Sequence, residues 1–278
     1  TRQSLENTGI FNLGVFMVPD TFYYYSKDKI LSIFSKKPSS LIERKAYKFH
    51  ETLNSVMKSL EIDLIHCSRF ETALLLPRNL NYPILIDYFD AMTRHRLHEF
   101  RFEATYSPLG LPKALIQLLA SWRIERDLSQ KFLPSTTFSV ASEQDKKFLK
   151  RFNPNLRILK HPASVKLNLS RPSGAKPKEK SLCFYGYLAG AWNMDAFFKL
   201  VYRVMPKVRS LYPDLVLRVT GKNINQNIIS LSNKTEWIRL YPTVEDISSF
   251  VQESTLCCFP YYLGCGVKTK ILECMAWG

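Results

Sequence analysis

Short apolar runs alternate with longer amphipathic segments along the chain, and this alternation constrains the fold more than any other feature of the sequence. A strand buried on both faces is a short apolar run, and the amphipathic segment after it supplies the crossover helix of a parallel sheet. Strands are predicted at residues 10–18, 62–67, 84–88, 137–141, 157–160, 182–185, 215–220, 235–240 and 255–259. Helices are predicted at residues 41–60, 112–132, 143–152, 195–211 and 244–252. The pattern predicts an α/β fold with parallel sheets.

A polar segment with Pro172, Gly174 and Pro177 interrupts the alternation at residues 164–180, and its composition is typical of a linker. The chain of 278 residues is long enough for two domains of ordinary size. We therefore predict an N-terminal domain at residues 1–163, a basic linker at 164–180 and a C-terminal domain at 181–278. Ligands of open α/β sheets bind beyond the carboxyl ends of the strands, so we expect a cleft there, between two Rossmann-like domains.

The chain carries a formal net charge of +15, from 39 Lys and Arg against 24 Asp and Glu. Residues 146–180 hold eleven of these basic residues and a single acid, Glu179. A segment of this kind is typical of surfaces that bind nucleic acid, an anionic membrane or a phosphorylated substrate. The alternative is a solvated basic linker with no binding role. The charge alone leaves these readings open.

The six cysteines show neither zinc-knuckle nor redox spacing, and most lie in apolar runs, which fits a reducing, cytoplasmic compartment. No apolar stretch approaches the roughly 20 residues needed to cross a bilayer. The sequence begins without Met and stops inside an expected helix. We therefore expect a chain truncated at both ends, and a lost signal peptide or anchor stays an open alternative.

A glycine-containing turn follows the last predicted strand and carries the clearest chemical signal. Gly264 and Gly266 precede a helix that begins near Lys268, and the free N–H groups at such a helix start favour a phosphate. Glu273 lies further along this otherwise apolar helix, where an acid calls for a polar partner. The alternative interpretation is an ordinary tight turn followed by an exposed helical acid.

The segment GCGVKTKILECMAWG at residues 264–278 resembles the signature G-x-G-x-K-x-K-[IV]-L-E-A-M-A-x-G of family 4 glycosyltransferases of the GT-B fold. Residues 184–186 and 193–196 resemble the F-x-G and N-x-D-A motifs that open the C-terminal domain of that family. Residues 213–221 are similar to its P-D and L-x-[IV]-x-G run, and residues 140–143 and 157–162 more loosely to its interdomain junction. The resemblance implies the two-domain GT-B architecture.

The resemblance further implies a nucleotide-diphosphate sugar as donor substrate, transferred with retention of configuration, and no metal or other cofactor. Glu273 would bind the donor ribose. The diphosphate would be bound by Gly264, Gly266, Val267, Lys268, Lys270 and Lys222. Three positions depart from the family pattern. Cys265 stands where many members of the family carry a second Glu, and Tyr187 stands where they often carry an Arg. Asn193 lies near the position of a family Lys.

In the first half, Asp87 and Asp90 end a predicted strand at a position that matches a family D-x-x-D segment near the acceptor. Asp90 is our candidate catalytic residue, orienting an acceptor hydroxyl, and the alternative is that it caps the following helix. His95 and His98 lie on one face of that helix and would contact a phosphate or serve a structural role.

These observations predict an enzyme, a retaining glycosyltransferase that acts on a glycan or lipid-linked acceptor in cell-surface polysaccharide biosynthesis. We expect a cytoplasmic protein with peripheral contact to an anionic membrane, to which the aromatic Tyr23–Tyr25 segment would contribute. The alternative is a non-catalytic nucleotide- or nucleic-acid-binding protein that uses its basic surface. The chain lacks the sequence motifs of the common nucleic-acid-binding modules, so we expect no nucleic-acid partner.

Overall fold

The computed structural model describes residues 33–36, 47–59, 62–77, 80–131, 135–165, 177 and 179–277. The strand predicted at 10–18, the aromatic residues 23–25 and most of the predicted linker lie outside the described residues. The domain boundary at 164–180 therefore stays a prediction. Two compact units are present, one formed by the described residues of Thr1–Phe89, Leu119–Ser139 and Lys146–Leu159. The other comprises those of Asp90–Leu118, Val140–Asp145 and Lys160–Gly278.

The regular elements of the described residues follow the predicted alternation. The helices are α1 Tyr47–Ser59, α2 Phe70–Leu75, α3 Met92–Tyr106, α4 Leu111–Lys131, α5 Glu143–Leu149, α6 Ala191–Lys199, α7 Met205–Arg209, α8 Gln226–Asn233, α9 Ile247–Gln252 and α10 Thr269–Trp277. The strands are β1 Ile65–Ser68, β2 Ile84–Asp87, β3 Thr136–Val140, β4 Arg157–Lys160, β5 Ser181–Tyr187, β6 Val216–Lys222, β7 Ile238–Leu240 and β8 Leu256–Cys257. None of the described helices is both long and apolar enough to cross a bilayer.

The first sheet has the strand order β1-β2-β3-β4, and β2 pairs in parallel with both β1 and β3. Ile84, Ile86 and Phe138 are buried along it, as expected for parallel strands covered on both faces. Tyr88, directly after β2, stacks on Phe70 of α2 with ring centroids 5.3 Å apart. The sheet confirms the predicted α/β class for the first half of the chain.

The second sheet has the order β7-β6-β5-β8, and all of its strand pairs are parallel. Its core packs Phe184 and Leu217 of the sheet against Phe197 and Leu200, all four fully buried. Phe197 lies on α6, which continues through a π-helical turn at Leu200–Val204 into α7. Two parallel sheets in one chain confirm the predicted fold class.

Some element bounds differ from the prediction. The helix expected at 195–211 begins earlier, at Ala191, and ends at Arg209, which leaves Leu211 76% exposed. The strand expected at 255–259 is reduced to β8, because the chain turns towards Pro260 directly after it. Helices α2 and α8 were not predicted, since both are short and lack a long apolar period.

Candidate functional site

The carboxyl ends of β5 and β8 position the candidate site. These two strands pair in parallel, with Cys183 opposite Cys257, so their carboxyl ends lie at the same edge of the sheet. The chain leaves β5 towards α6 and leaves β8 towards the glycine-containing turn before α10. The sequence-predicted donor residues and the F-x-G segment are therefore brought together at this edge, as expected for a parallel α/β sheet.

The turn before α10 depends on backbone conformations that favour glycine. Gly264 has a φ of +109° and Gly266 a φ of +66°, both in the left-handed half of the Ramachandran plot. A Cβ atom on Gly266 would also overlap Oδ1 of Asp90. The Gly266 N–H donates to Oδ2 of Asp145 over 3.1 Å, so it is already engaged within the protein.

Asp145 anchors this turn, and the sequence did not reveal it as a site residue. Its carboxylate is fully buried and accepts hydrogen bonds from Arg94 at 2.5 Å and from the Ser142 hydroxyl at 2.5 Å. Ser142 in turn accepts the Asp145 N–H over 3.1 Å, which makes Ser142 the N-cap of α5. The buried Asp145–Arg94 pair thereby holds the turn through Gly266.

Two lysines lie beside one cavity of about 200 Å³ at the start of α10. Lys268 donates from Nζ to the Cys265 carbonyl oxygen at 2.8 Å, and Lys270 donates to Asn193 Oδ1 at 3.0 Å. The predicted residues Asp90, Gly264, Val267, Lys268 and Lys270 all line this cavity, together with His95, Trp192, Asn193, Tyr261, Cys265 and Thr269.

Lys270 is partly buried at the wall of this cavity. Burial, reinforced by the nearby positive charge of Lys268, lowers the pKa of Lys270 to about 8. Its Nζ occupies the space that a Cβ on Gly186 would fill, and Tyr261 OH accepts from it at 3.3 Å. Asn193 also donates from Nδ2 to the Tyr187 carbonyl at 2.8 Å. Its side-chain amide therefore connects Lys270 to the backbone at the end of β5. No motif pointed to Tyr261 or Trp192 as site residues.

Glu273 and Lys222 lie outside this cavity. The Glu273 carboxylate accepts a hydrogen bond from Tyr185 OH at 3.2 Å, which supplies the polar partner expected for an acid in an apolar helix. Lys222 lines a second cavity of about 250 Å³. Tyr185 belongs to that cavity too, as do Gly186, Tyr187, Thr220, Gly221, Thr243, Val244 and Ile247.

Asp90 lies at the wall of the first cavity, ahead of α3. Burial and the nearby Asp145 carboxylate raise the pKa of Asp90, against the lowering effect of Lys268 and His95. The N-cap residue of α3 is Ala91, with no side-chain cap bond, so Asp90 does not cap the helix from that position. Asp87 is not among the residues that line this cavity, and its carboxylate accepts from the Ser139 hydroxyl at 2.6 Å.

The two histidines of α3 differ. His95 lines the cavity, and its ring meets Trp192 edge to face with centroids 4.5 Å apart. Burial and the neighbouring arginines lower the pKa of His98 to about 4, so His98 is neutral at physiological pH. Its Nδ1 has no hydrogen-bond partner among the described residues. His98 therefore supplies no positive charge for a phosphate.

Residues 179–278 match the sequence model of the family described as glycosyl transferases group 1. The match covers the second sheet and the glycine-containing turn, and it confirms the resemblance found from the motifs. This part of the chain is therefore similar in sequence to glycosyltransferases. A comparison with curated protein sequences finds no match.

Solved structures of similar fold cover nearly the whole chain at low sequence identity. An alpha,alpha-trehalose 6-phosphate synthase from Burkholderia multivorans matches with a TM-score of 0.59 and 11% identity, over 93% of this chain and 65% of that one. A structure described as trehalose-6-phosphate from E. coli bound with UDP-2-fluoro glucose matches with a TM-score of 0.55 and 12% identity, over 93% of this chain and 67% of that one. A trehalose-6-phosphate synthase, studied with bisubstrate glycomimetics for glycosyltransfer with retention, matches with a TM-score of 0.53 and 12% identity. This match covers 93% of this chain and 67% of that one. These likenesses confirm the GT-B fold, and the chain spans about two thirds of the length of these structures.

Proposed function

We propose that this chain, which carries a group 1 glycosyltransferase domain at residues 179–278, transfers a sugar from a nucleotide-diphosphate donor to a glycan or glycolipid acceptor. The observation that carries the proposal is the placement of Lys268 and Lys270 on one cavity at the N-terminus of α10. Backbone N–H groups at a helix start and two ammonium groups together suit a diphosphate. The same groups stabilise the charge that develops on the leaving diphosphate, so we propose that no metal ion is required for this step.

The donor would extend from this cavity along the edge of the second sheet. Glu273 binds the ribose in this proposal, because an ionised carboxylate accepts several hydrogen bonds and the Tyr185 hydroxyl accounts for one of them. The second cavity, with Lys222 and the apolar Val244 and Ile247, would take the nucleotide base. Tyr185 contacts Glu273 and lines the second cavity, which connects the proposed ribose and base positions.

Asp90 is the proposed group for the acceptor side of the reaction. Its raised pKa makes the carboxylate a stronger base than an exposed Asp, and a base of this kind holds an acceptor hydroxyl by its proton. Similar structures described as acting with retention and as bound to a UDP-sugar analogue support a retaining transfer from a UDP-sugar. We further propose a role in cell-surface polysaccharide assembly at the cytoplasmic face of an anionic membrane.

Thermal unfolding of the full-length protein with and without UDP, GDP and ADP tests the donor proposal. We expect at least one diphosphate to raise the Tm, and Glu273→Ala to abolish that rise while leaving the unliganded protein folded. Glu236→Ala is the matched control, because Glu236 is an exposed acid of the same unit away from both cavities. An unchanged rise in Glu273→Ala would contradict the ribose role of Glu273.

The same experiment separates the proposal from nucleic-acid binding through the basic surface. Binding through a net charge of +15 would appear as tight association with DNA that weakens steeply with salt. If no nucleotide diphosphate raises the Tm and such DNA binding is seen, the glycosyltransferase proposal is wrong and the nucleic-acid alternative is supported.

A further inference from the structure

Three potential metal-ligand atoms, a sulfur, a nitrogen and an oxygen, lie together at the wall of the first cavity. The ligand atoms of Asp90, His95 and Cys265 all lie within 4.8 Å of one another. The Cys265 sulfur is 3.8 Å from His95 Nδ1. All three residues belong to the same compact unit and line the same cavity, so they are brought together by the fold of that unit.

A thiolate, an imidazole and a carboxylate are the ligands that Zn²⁺ prefers in proteins. With Zn–S and Zn–N bonds of about 2.3 and about 2.0 Å, the sulfur and nitrogen ligands of a tetrahedral site lie roughly 3.5 Å apart. The observed separation of 3.8 Å lies close to that value. A small closing movement of two side chains therefore brings both atoms into coordination distance.

The surroundings of His95 match those of a metal-binding histidine. Its Nε2 lies 3.4 Å from Oε1 of Glu99, on the side of the ring opposite to Cys265. A metal-bound histidine commonly donates its second N–H to a carboxylate, which directs the lone pair of the other nitrogen towards the metal. The edge-to-face contact with Trp192 further restricts the ring.

We propose that Asp90, His95 and Cys265 form a binding site for a divalent ion of the zinc class, with Glu99 as the carboxylate that orients His95. The site shares Asp90 with the proposed acceptor side of the reaction, and it does not use Lys268 or Lys270, which supply the charge for the proposed donor binding. It depends instead on Cys265, the residue that stands where the resembling family carries an acid. The thiol makes the site selective for zinc-like ions over magnesium, which prefers oxygen ligands.

Cobalt titration of the full-length protein, in the absence of nucleotide, tests the site. Bound Co²⁺ should show a thiolate-to-cobalt charge-transfer band and the visible bands of tetrahedral cobalt, and Zn²⁺ should displace it. Cys265→Ser should remove the charge-transfer band. Glu99→Gln should keep the band but weaken the metal affinity by about 10- to 100-fold.

Cys257→Ser is the matched control, because Cys257 does not line the first cavity and its sulfur lies 3.1 Å from that of Cys183. This variant should bind cobalt as the unmodified protein does. Absence of the thiolate band in the unmodified protein would overturn the proposal. So would a band that survives Cys265→Ser, or one that is lost in Cys257→Ser, since the metal would then be bound elsewhere. If Glu99→Gln binds cobalt with unchanged affinity, Glu99 does not orient His95. This result can be interpreted even if one of the cysteine variants fails to fold.

Discussion

At the scale of single residues, Lys270 decides how the charge of the proposed diphosphate site responds to pH. Its pKa, lowered to about 8 by burial and by Lys268, places the loss of the ammonium charge just above neutrality. We predict that the affinity for UDP falls as the pH rises from about 7 to about 9, because the neutral amine no longer attracts the diphosphate. Isothermal titration calorimetry across this range measures the effect.

Lys270→Arg is the control for this prediction, since an arginine stays charged throughout this range and should remove most of the pH dependence. The stability of the unliganded protein moves in the opposite direction. Because the folded pKa lies below the ordinary value of 10.5, the unfolded chain binds more protons at this group between about pH 8 and about pH 10.5. The contribution of Lys270 to stability therefore rises with pH over that window. In the binding experiment, an equal fall in UDP affinity with rising pH in Lys270→Arg would show that a group other than Lys270 titrates.

The residues that the sequence identified and those it missed differ in how far apart their contacts lie along the chain. Gly264, Gly266 and the two lysines form a local turn, so their grouping could be predicted from the order of the residues alone. Asp145 contacts Gly266 across 121 positions, and Asn193 contacts Lys270 across 77. A periodicity or a short motif carries no information about such pairs, because only the packed fold brings them together.

At the scale of elements, the sequence predicted the order of strands and helices better than their ends. The apolar pattern at 195–211 predicted a continuous helix, whereas the structure has a π-helical turn at Leu200–Val204 just before Pro206. Proline has no N–H to donate within a helix, and the wider turn shifts the bonding so that the Met205 N–H reaches the Leu200 carbonyl. Apolar periodicity tolerates this change, because Leu200 and Met205 are both buried.

The turn before α10 gives a prediction at the same scale. Gly266→Ala should destabilise the protein by at least about 1–2 kcal/mol, because alanine is strained at a φ of +66° and its Cβ would overlap Asp90. Gly190→Ala should cost less, since Gly190 has a φ of −78° and space for a methyl group in ordinary contact. Urea unfolding of both variants measures the difference.

A double-mutant cycle separates the two causes of the Gly266 effect. Asp90→Ala should recover part of the stability lost in Gly266→Ala if the overlap contributes, because the side chain in the way is then gone. Additive effects of the two substitutions would instead assign the whole loss to backbone strain. This outcome would contradict the close approach of Asp90 to the turn.

At the scale of the whole molecule, the excess of basic residues is the property that no single site explains. The chain has 39 Lys and Arg against 24 acids, and two of the lysines belong to the proposed diphosphate site. Charge of this kind sets long-range attraction to anionic surfaces and leaves the fold unspecified. The basic stretch that begins at Lys146 includes the exposed residues Lys147, Lys150 and Arg151 at the end of α5 and just beyond it.

We predict that the protein sediments with vesicles that contain phosphatidylserine at low salt and not with neutral vesicles, because each basic group near an anionic surface contributes about 1 kcal/mol. Replacing Lys147, Lys150 and Arg151 by glutamine should weaken this binding more than replacing Arg203, Lys207 and Lys234, three exposed basic residues of the other unit. Both triple variants change the net charge equally, so a difference between them identifies the membrane-facing surface. Equal losses would show that the attraction is spread over the molecule, and equal binding to neutral vesicles would remove the electrostatic explanation. Raising the salt shortens the range of the attraction to a few ångströms, so the sedimented fraction should fall accordingly.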